Sequence, residues 1–218
     1  MGASGRLVAL AAGAALVVAS VPTAWAATPG PAYSWGDNDQ GRLGNGSNDD
    51  TNVPAQIAAP GAFTSISAGY NHGCALGSDD SAYCWGDGTL GQLGNGANDD
   101  TNVPVRVLGP AGGFAAIAAG NLTSCALGND DSAYCWGDGQ FGQLGNGFSG
   151  LGVYKSNVPV AVSGGRSFRG IDVGQDSACA VAPDDSAYCW GRNSDGQLGI
   201  GRSGAAFDDT SNVPVLVS

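Results

Sequence analysis

Glutamate is missing from this 218-residue chain: all 19 acidic residues are Asp. Lysine occurs once, at Lys155, and histidine once, at His72. Exposed helical faces draw on Glu, Lys, Ala and Leu, so this chain is poorly supplied for helices. Eight Lys and Arg against 19 Asp exclude the counterion-releasing surface that nucleic acid requires, and disfavour acidic membranes. A Ser–His–Asp relay would have to use His72, and no serine sits in a nucleophile-elbow sequence. Zinc-type C-x-x-C clusters are absent. What is abundant is glycine, 38 residues, alongside Asp and Asn, the residues of tight turns.

One long apolar run exists, Leu7 to Val21, and it is shorter than the roughly 20 residues of a bilayer span. Arg6 precedes it, and Pro22-Thr23-Ala24-Trp25-Ala26 follows with small residues at both diagnostic positions. Residues 1–26 therefore read as a secretory signal peptide cut between Ala26 and Ala27. The remainder, 27–218, is expected outside the cell, with no membrane span.

That remainder repeats itself. Trp35, Trp85, Trp136 and Trp190 are each followed by Gly, and then by GRLGNG, GQLGNG, GQLGNG or GQLGIG. Asn-Val-Pro comes next, from Asn52, Asn102, Asn157 and Asn212. Three units also carry a period-2 phrase, FTSISAG, FAAIAAG or FRGIDVG, starting at Phe63, Phe114 and Phe168. Four short strand-like pieces per period of about 50 residues, separated by Gly and Asp clusters, point to blades of a β-propeller. The fold class is all-β, in blades of four antiparallel strands.

The six cysteines pair by the same repeat. Cys74 and Cys84, Cys125 and Cys135, and Cys179 and Cys189 flank Asp-rich turns. Folding each hairpin sets its two Cys opposite each other, where structural disulfides form in an oxidising compartment. Each Asp-Asp then makes a turn, each Cys pair clips a hairpin, and Tyr and Trp share the other face for packing between blades. Asp37 to Gly41 and Asn193 to Gly196 look like half of a calcium loop but lack its terminal acidic ligand. No residue set asks for a cofactor.

The set AG…H.CAL…YCWG…GQLG.G…PV.V resembles the regulator of chromosome condensation repeat in its secreted, cysteine-containing bacterial form. The resemblance covers Tyr33 to Ser218 and implies a β-propeller, in that family usually of seven blades. Here three complete blades are expected, about 63–107, 114–162 and 168–217, with a half blade at 33–58. The chain is thus an open arc or an incomplete seven-blade propeller. The resemblance also implies that a His in the place of His72 serves the blade, and Thr123 and Ser177 replace it in the other units. The family's eukaryotic archetype is a guanine-nucleotide exchange factor that binds chromatin. That role transfers poorly to an acidic chain without a long β-wedge insertion.

Function is expected from loops that differ between units. Leu90, Phe141, Phe148, Tyr154 and Phe207 are the candidate anchors for a partner protein, provided that they are exposed. The reading is a non-enzymatic protein-binding module, with inhibition of a secreted enzyme as one form. The alternative is binding of extracellular polysaccharide or cell wall. Three and a half blades leave three readings open: a truncated product, half of a homodimeric ring, or an arc that meets a partner.

Overall fold

Three Asp-Asp pairs, one in each disulfide-clipped hairpin, fold the chain back on itself. Asp80, Asp131 and Asp185 take left-handed backbone conformations, with φ of 61, 63 and 67°, a region that Asp and Asn enter more readily than most side chains. The preceding Asp79, Asp130 and Asp184 accept from the N–H groups of Ser81, Ser132 and Ser186 at 3.1–3.2 Å. These bonds hold the exposed Asp79 and Asp184 carboxyls below their usual range.

A computed structural model describes residues 9–12, 30–150, 154–203 and 209–218, with the backbone alone at 9–12. The signal cleavage positions Ala26 and Ala27, and the candidate anchor Phe207, lie outside these residues. In the first sheet, β1 (Ala9–Ala12) pairs parallel to β2 (Tyr33–Gly36), which pairs antiparallel to β3 (Thr51–Gln56). The second sheet runs β4 (Phe63–Ala68), β5 (His72–Gly77), β6 (Ala82–Gly86) and β7 (Thr101–Arg106). The third runs β8 (Phe114–Ala119), β9 (Thr123–Gly128), β10 (Ala133–Asp138) and β11 (Lys155–Ala161). The fourth runs β12 (Gly170–Val173), β13 (Ser177–Val181), β14 (Ala187–Arg192) and β15 (Thr210–Leu216). All three are antiparallel meanders in chain order. They are propeller blades, and the first sheet supplies the two outer strands of another.

Within each blade Cys74 faces Cys84, Cys125 faces Cys135 and Cys179 faces Cys189, and a disulfide joins each pair across 4.1 Å between Cα atoms. The register slips one residue later. Cys84 pairs with Val105 but Gly86 with Thr101, and the other sheets repeat the irregularity at their own Trp. Trp85, Trp136 and Trp190 are completely buried. Each ring lies 6.1–6.3 Å from a Phe of its own blade, Phe63 and Phe114 at the start of the first strand and Phe168 two residues before it.

The indole N–H of each Trp crosses to the preceding sheet. Trp85, Trp136 and Trp190 donate to the carbonyls of Arg42, Gln92 and Gln143 at 3.0, 2.9 and 2.9 Å. The glycine two residues after each acceptor lies flat beneath the incoming ring. A Cβ on Gly94, whose φ is +64°, would stand 2.6 Å from Trp136 Nε1. The same loops bond to the next outer strand, through Gly46, Gly96 and Gly147 N–H to the Asn102, Asn157 and Asn212 carbonyls at 2.8 Å. The Leu-Gly phrase is therefore a socket, and Trp-Gly with Asn-Val-Pro is the plug that the next blade inserts.

Removing one hairpin clip should be costly without changing the fold. The double variant C125A/C135A is expected to lose roughly 2 to 3 kcal/mol in urea unfolding, the chain-entropy value for a loop of this length. An unchanged midpoint would show that the bridge does not constrain the unfolded chain.

Candidate interaction face

Antiparallel order sends the turn between first and second strands, and the loop between third and fourth, to one face of the arc. Hydrogen bonds tie the two together: Asp87, Asp138 and Arg192 N–H donate to the Asn71, Leu122 and Asp176 carbonyls at 2.9 Å. Near the inner edge the turns of three blades, Ala68–Tyr70, Ala119–Asn121 and Val173–Gln175, line an open cleft of about 620 Å³. Tyr70 N–H donates to the Gly120 carbonyl and Asn121 N–H to that of Gly174, so the turns form a continuous rail. Tyr70 is 66% exposed, and Asn121 and Gln175 occupy its place in the next two blades. In sequence this turn has no marker of its own, since both residues after its glycine differ from blade to blade, as loop residues do: Tyr70-Asn71, Asn121-Leu122 and Gln175-Asp176.

The outer part of the same face carries the long loops. Phe148 is 63% exposed and its ring lies 5.9 Å from that of Tyr154. Tyr154 is half-buried, and its hydroxyl accepts from Asn146 Nδ2 at 2.5 Å. Lys155 Nζ donates to the Thr89 carbonyl at 2.9 Å, which brings the half-buried Leu90 and its loop alongside. Leu90, Tyr154 and Phe148 thus belong to neighbouring loops on one face. Phe141 does not join them as an anchor. It is buried, with the Arg192 guanidinium carbon 5.4 Å from its ring centre, because the next blade covers it. The condition of exposure fails for this residue.

The face is acidic and its cations are engaged. Arg42 pairs with Asp37, Arg192 with Asp176 and Arg202 with Asp209 at 3.0–3.3 Å. Burial raises the Asp138 carboxyl above its ordinary range, against the Gln140 and Gly139 N–H groups that stabilise its charge. In the first calcium-like loop an amide braces the turn: Asn38 Nδ2 donates to the Ser47 and Asp49 carbonyls, and its Oδ1 accepts from Leu43 N–H. Asn193 does the same work with Arg202, Asp209 and Leu198.

His72 sits behind this face, between blades. Its Nε2 lies 2.8 Å from Ser124 Oγ of the next sheet, and that hydroxyl donates to the Gln92 carbonyl at 2.8 Å. Ser124 Oγ thus bridges the imidazole and the Gln92 carbonyl across the joint. Trp136 Nε1 shares the same Gln92 carbonyl. His72 is thereby part of the joint between the second and third sheets, and Nδ1 has no hydrogen-bond partner among the described residues.

Repeated four-stranded blades, clipped by disulfides and joined by Trp plugs, define a β-propeller arc. The chain belongs to the regulator of chromosome condensation (RCC1) repeat family, whose model matches residues 29–76, 79–127, 130–181 and 184–218. It is 30% identical over 184 residues to the ultraviolet-B receptor UVR8 of Arabidopsis thaliana, covering 83% of this chain and 41% of that protein. It is 31% identical over 181 residues to the human E3 ubiquitin-protein ligase HERC2, covering 81% of this chain and 3% of that one. Among solved structures, Prp20p of Saccharomyces cerevisiae superposes with a TM-score of 0.72 at 24% identity, over 85% of this chain and 46% of that one. Human WBSCR16 gives 0.71 at 21% identity, over 85% and 47%. The yeast protein has been solved bound to Kap60, and its binding to Gsp1p and histones has been characterised. The chain spans less than half the length of each of these relatives.

The buried imidazole makes stability depend on pH. Desolvation lowers His72 from 6.5 to about 4, against the attraction of the Asp87 carboxylate. Between those values the unfolded chain takes up a proton that the folded chain refuses, so stability falls as pH drops from 7 to 4. The loss attributable to His72 is on the order of 3 kcal/mol. Replacing it by Thr, the residue at position 123, should flatten that part of the slope relative to wild type in thermal melts. Parallel slopes would mean that the imidazole is protonated in the folded joint.

Proposed function

We propose that this chain is an exported, non-enzymatic interaction module that engages a protein through the face carrying the first turns and the long loops. The observation that carries the reading is the Phe148–Tyr154 pair. A 63%-exposed aromatic ring, packed at a tilt against a tyrosine whose hydroxyl is fixed by Asn146, stands at the tip of a disulfide-clipped blade. A rigid aromatic of this kind costs little entropy to dock, which is why such residues dominate interface energetics. The open cleft beside Tyr70 extends the same face inward.

Charge narrows the partner. With 19 Asp against 8 Lys and Arg overall, and its arginines paired, the face suits a protein with a basic contact surface. The binding of Gsp1p and histones by Prp20p supports protein recognition as the use of this scaffold. Export rests on the leader pattern in residues 1–26 and accords with three disulfides; among the described residues no helix is long and apolar enough to cross a membrane. Inhibition of a secreted enzyme is one form that such binding could take.

Polysaccharide binding is favoured by a different observation, the exposed Tyr70 ring beside the amides of Asn121 and Gln175. Against it, Trp85, Trp136 and Trp190 are wholly buried in the joints and offer no stacking surface. The two readings separate by variant. Captured protein from the extracellular fraction should bind F148A at least tenfold more weakly than wild type, with Y70A less affected. Binding to a glycan array, abolished by Y70A and untouched by F148A, would sink the protein-partner reading.

A further inference from the structure

Asn95-Gly96 and Asn146-Gly147 close the Leu-Gly loops of two complete blades, and the same pair recurs at Asn45-Gly46. An asparagine before glycine loses its side-chain amide when the glycine nitrogen attacks Cγ, since glycine puts no side chain in the way. Half of that reaction is prepared here. Asn95 Oδ1 accepts from Ala97 N–H at 3.0 Å, and Asn146 Oδ1 from Phe148 N–H at 3.3 Å. Each bond curls the side chain back over the glycine peptide and polarises the amide carbonyl that its nitrogen would attack. Both asparagines are half-buried and both glycines exposed, so water and hydroxide reach the pair.

The other half is withheld by the neighbouring blade. Gly96 N–H donates to the Asn157 carbonyl and Gly147 N–H to the Asn212 carbonyl, both at 2.8 Å. The side chains of those two asparagines return the bond. Asn157 Nδ2 donates to the Gly96 carbonyl at 2.8 Å, and Asn212 Nδ2 to the Gly147 carbonyl at 3.0 Å. An amide nitrogen attacks only after giving up its proton, and here that proton is held between two blades. The glycine peptide is also pinned on both sides, which keeps it from swinging toward Cγ. The partners are 61 and 65 residues apart in the chain, so these bonds break only when one blade parts from the next.

We propose that Asn95 and Asn146 are latent deamidation sites, which the joint between blades keeps closed. When the joint opens, hydroxide takes the Gly96 or Gly147 N–H proton and the glycine nitrogen bonds to the asparagine Cγ. The bond from Cγ to Nδ2 breaks, and Nδ2 takes a proton from water and leaves as ammonia. Water then opens the succinimide at either carbonyl, giving Asp or isoaspartate. A neutral turn becomes a carboxylate, and isoaspartate adds one methylene to the main chain at the socket. At Asn146 the departing nitrogen is the one that donates to the Tyr154 hydroxyl, so that site also releases the Phe148–Tyr154 pair. This last consequence rests on the protein-partner reading. The modification is read by mass and the partner by binding, so each can fail alone.

The test ages the full chain, expressed for export so that the host processes any leader, in mildly alkaline buffer. Peptide mass mapping reads deamidation, and isoaspartyl methyltransferase reads isoaspartate. Asn95 and Asn146 should stay unmodified in the native protein and convert in the urea-unfolded protein with its disulfides intact. W136F removes the indole N–H from the joint that covers Asn95, and W190F from the joint that covers Asn146. Each folded variant should convert its own site about fivefold to tenfold faster than wild type, the factor for one lost buried hydrogen bond, and leave the other site unchanged. Amide exchange in wild type needs no variant: the Gly96 and Gly147 N–H groups should be as protected as the other backbone bonds of their joints. Native conversion at the rate of the unfolded chain, or rapid exchange of either glycine amide, overturns the proposal. So do folded variants whose own site stays as slow as in wild type.

Discussion

The bond from a buried indole N–H to the carbonyl of the preceding loop is the constraint on which the arc depends. A blade of four short strands has two faces and cannot bury both by itself. Trp85, Trp136 and Trp190 cover one face of each blade, and the acceptors Arg42, Gln92 and Gln143 set the distance to the sheet before it. The glycine beneath each ring follows from that distance. So does the register slip at the Trp, which turns one side chain out of the ladder and toward the neighbour.

The disulfides act at another level. They hold the second and third strands of one blade together, and those are the strands that present the Trp and, in the second sheet, the His72 that meets Ser124 of the next. A stiff hairpin keeps the plug in shape whether or not a socket is present. The loop face inherits that rigidity, so the Phe148–Tyr154 pair and the Tyr70 turn sit on a scaffold that needs no partner to set them. The N-terminal sheet is the exception: it has no clip, and the backbone of Ala9–Ala12 lies along β2 where the other sheets place an antiparallel second strand.

Much of this was legible in the sequence because repetition makes it so. Trp-Gly, Leu-Gly, Asn-Val-Pro and paired Cys at fixed offsets locate strands, turns and bridges without any coordinate. Loop tips were less legible. Phe141 and Phe148 look alike as apolar residues in variable loops, yet the next blade buries one, under Arg192, and leaves the other in solvent. Tyr70 carried no signal beyond differing from Asn121 and Gln175. The roles of Asn38 and Asn193 resembled half an ion site because amide oxygens and carboxylates occupy the same turn positions.

The sequence by itself determined the blade: its strands, its Asp turns, its disulfide pairs and its family, since each depends on residues near one another in the chain. The tertiary structure alone decided what lies between blades. Which aromatics are exposed, which carbonyl each buried indole meets and where the cleft opens all depend on atoms about fifty residues apart, brought within hydrogen-bond reach by the stacking of one sheet on the next.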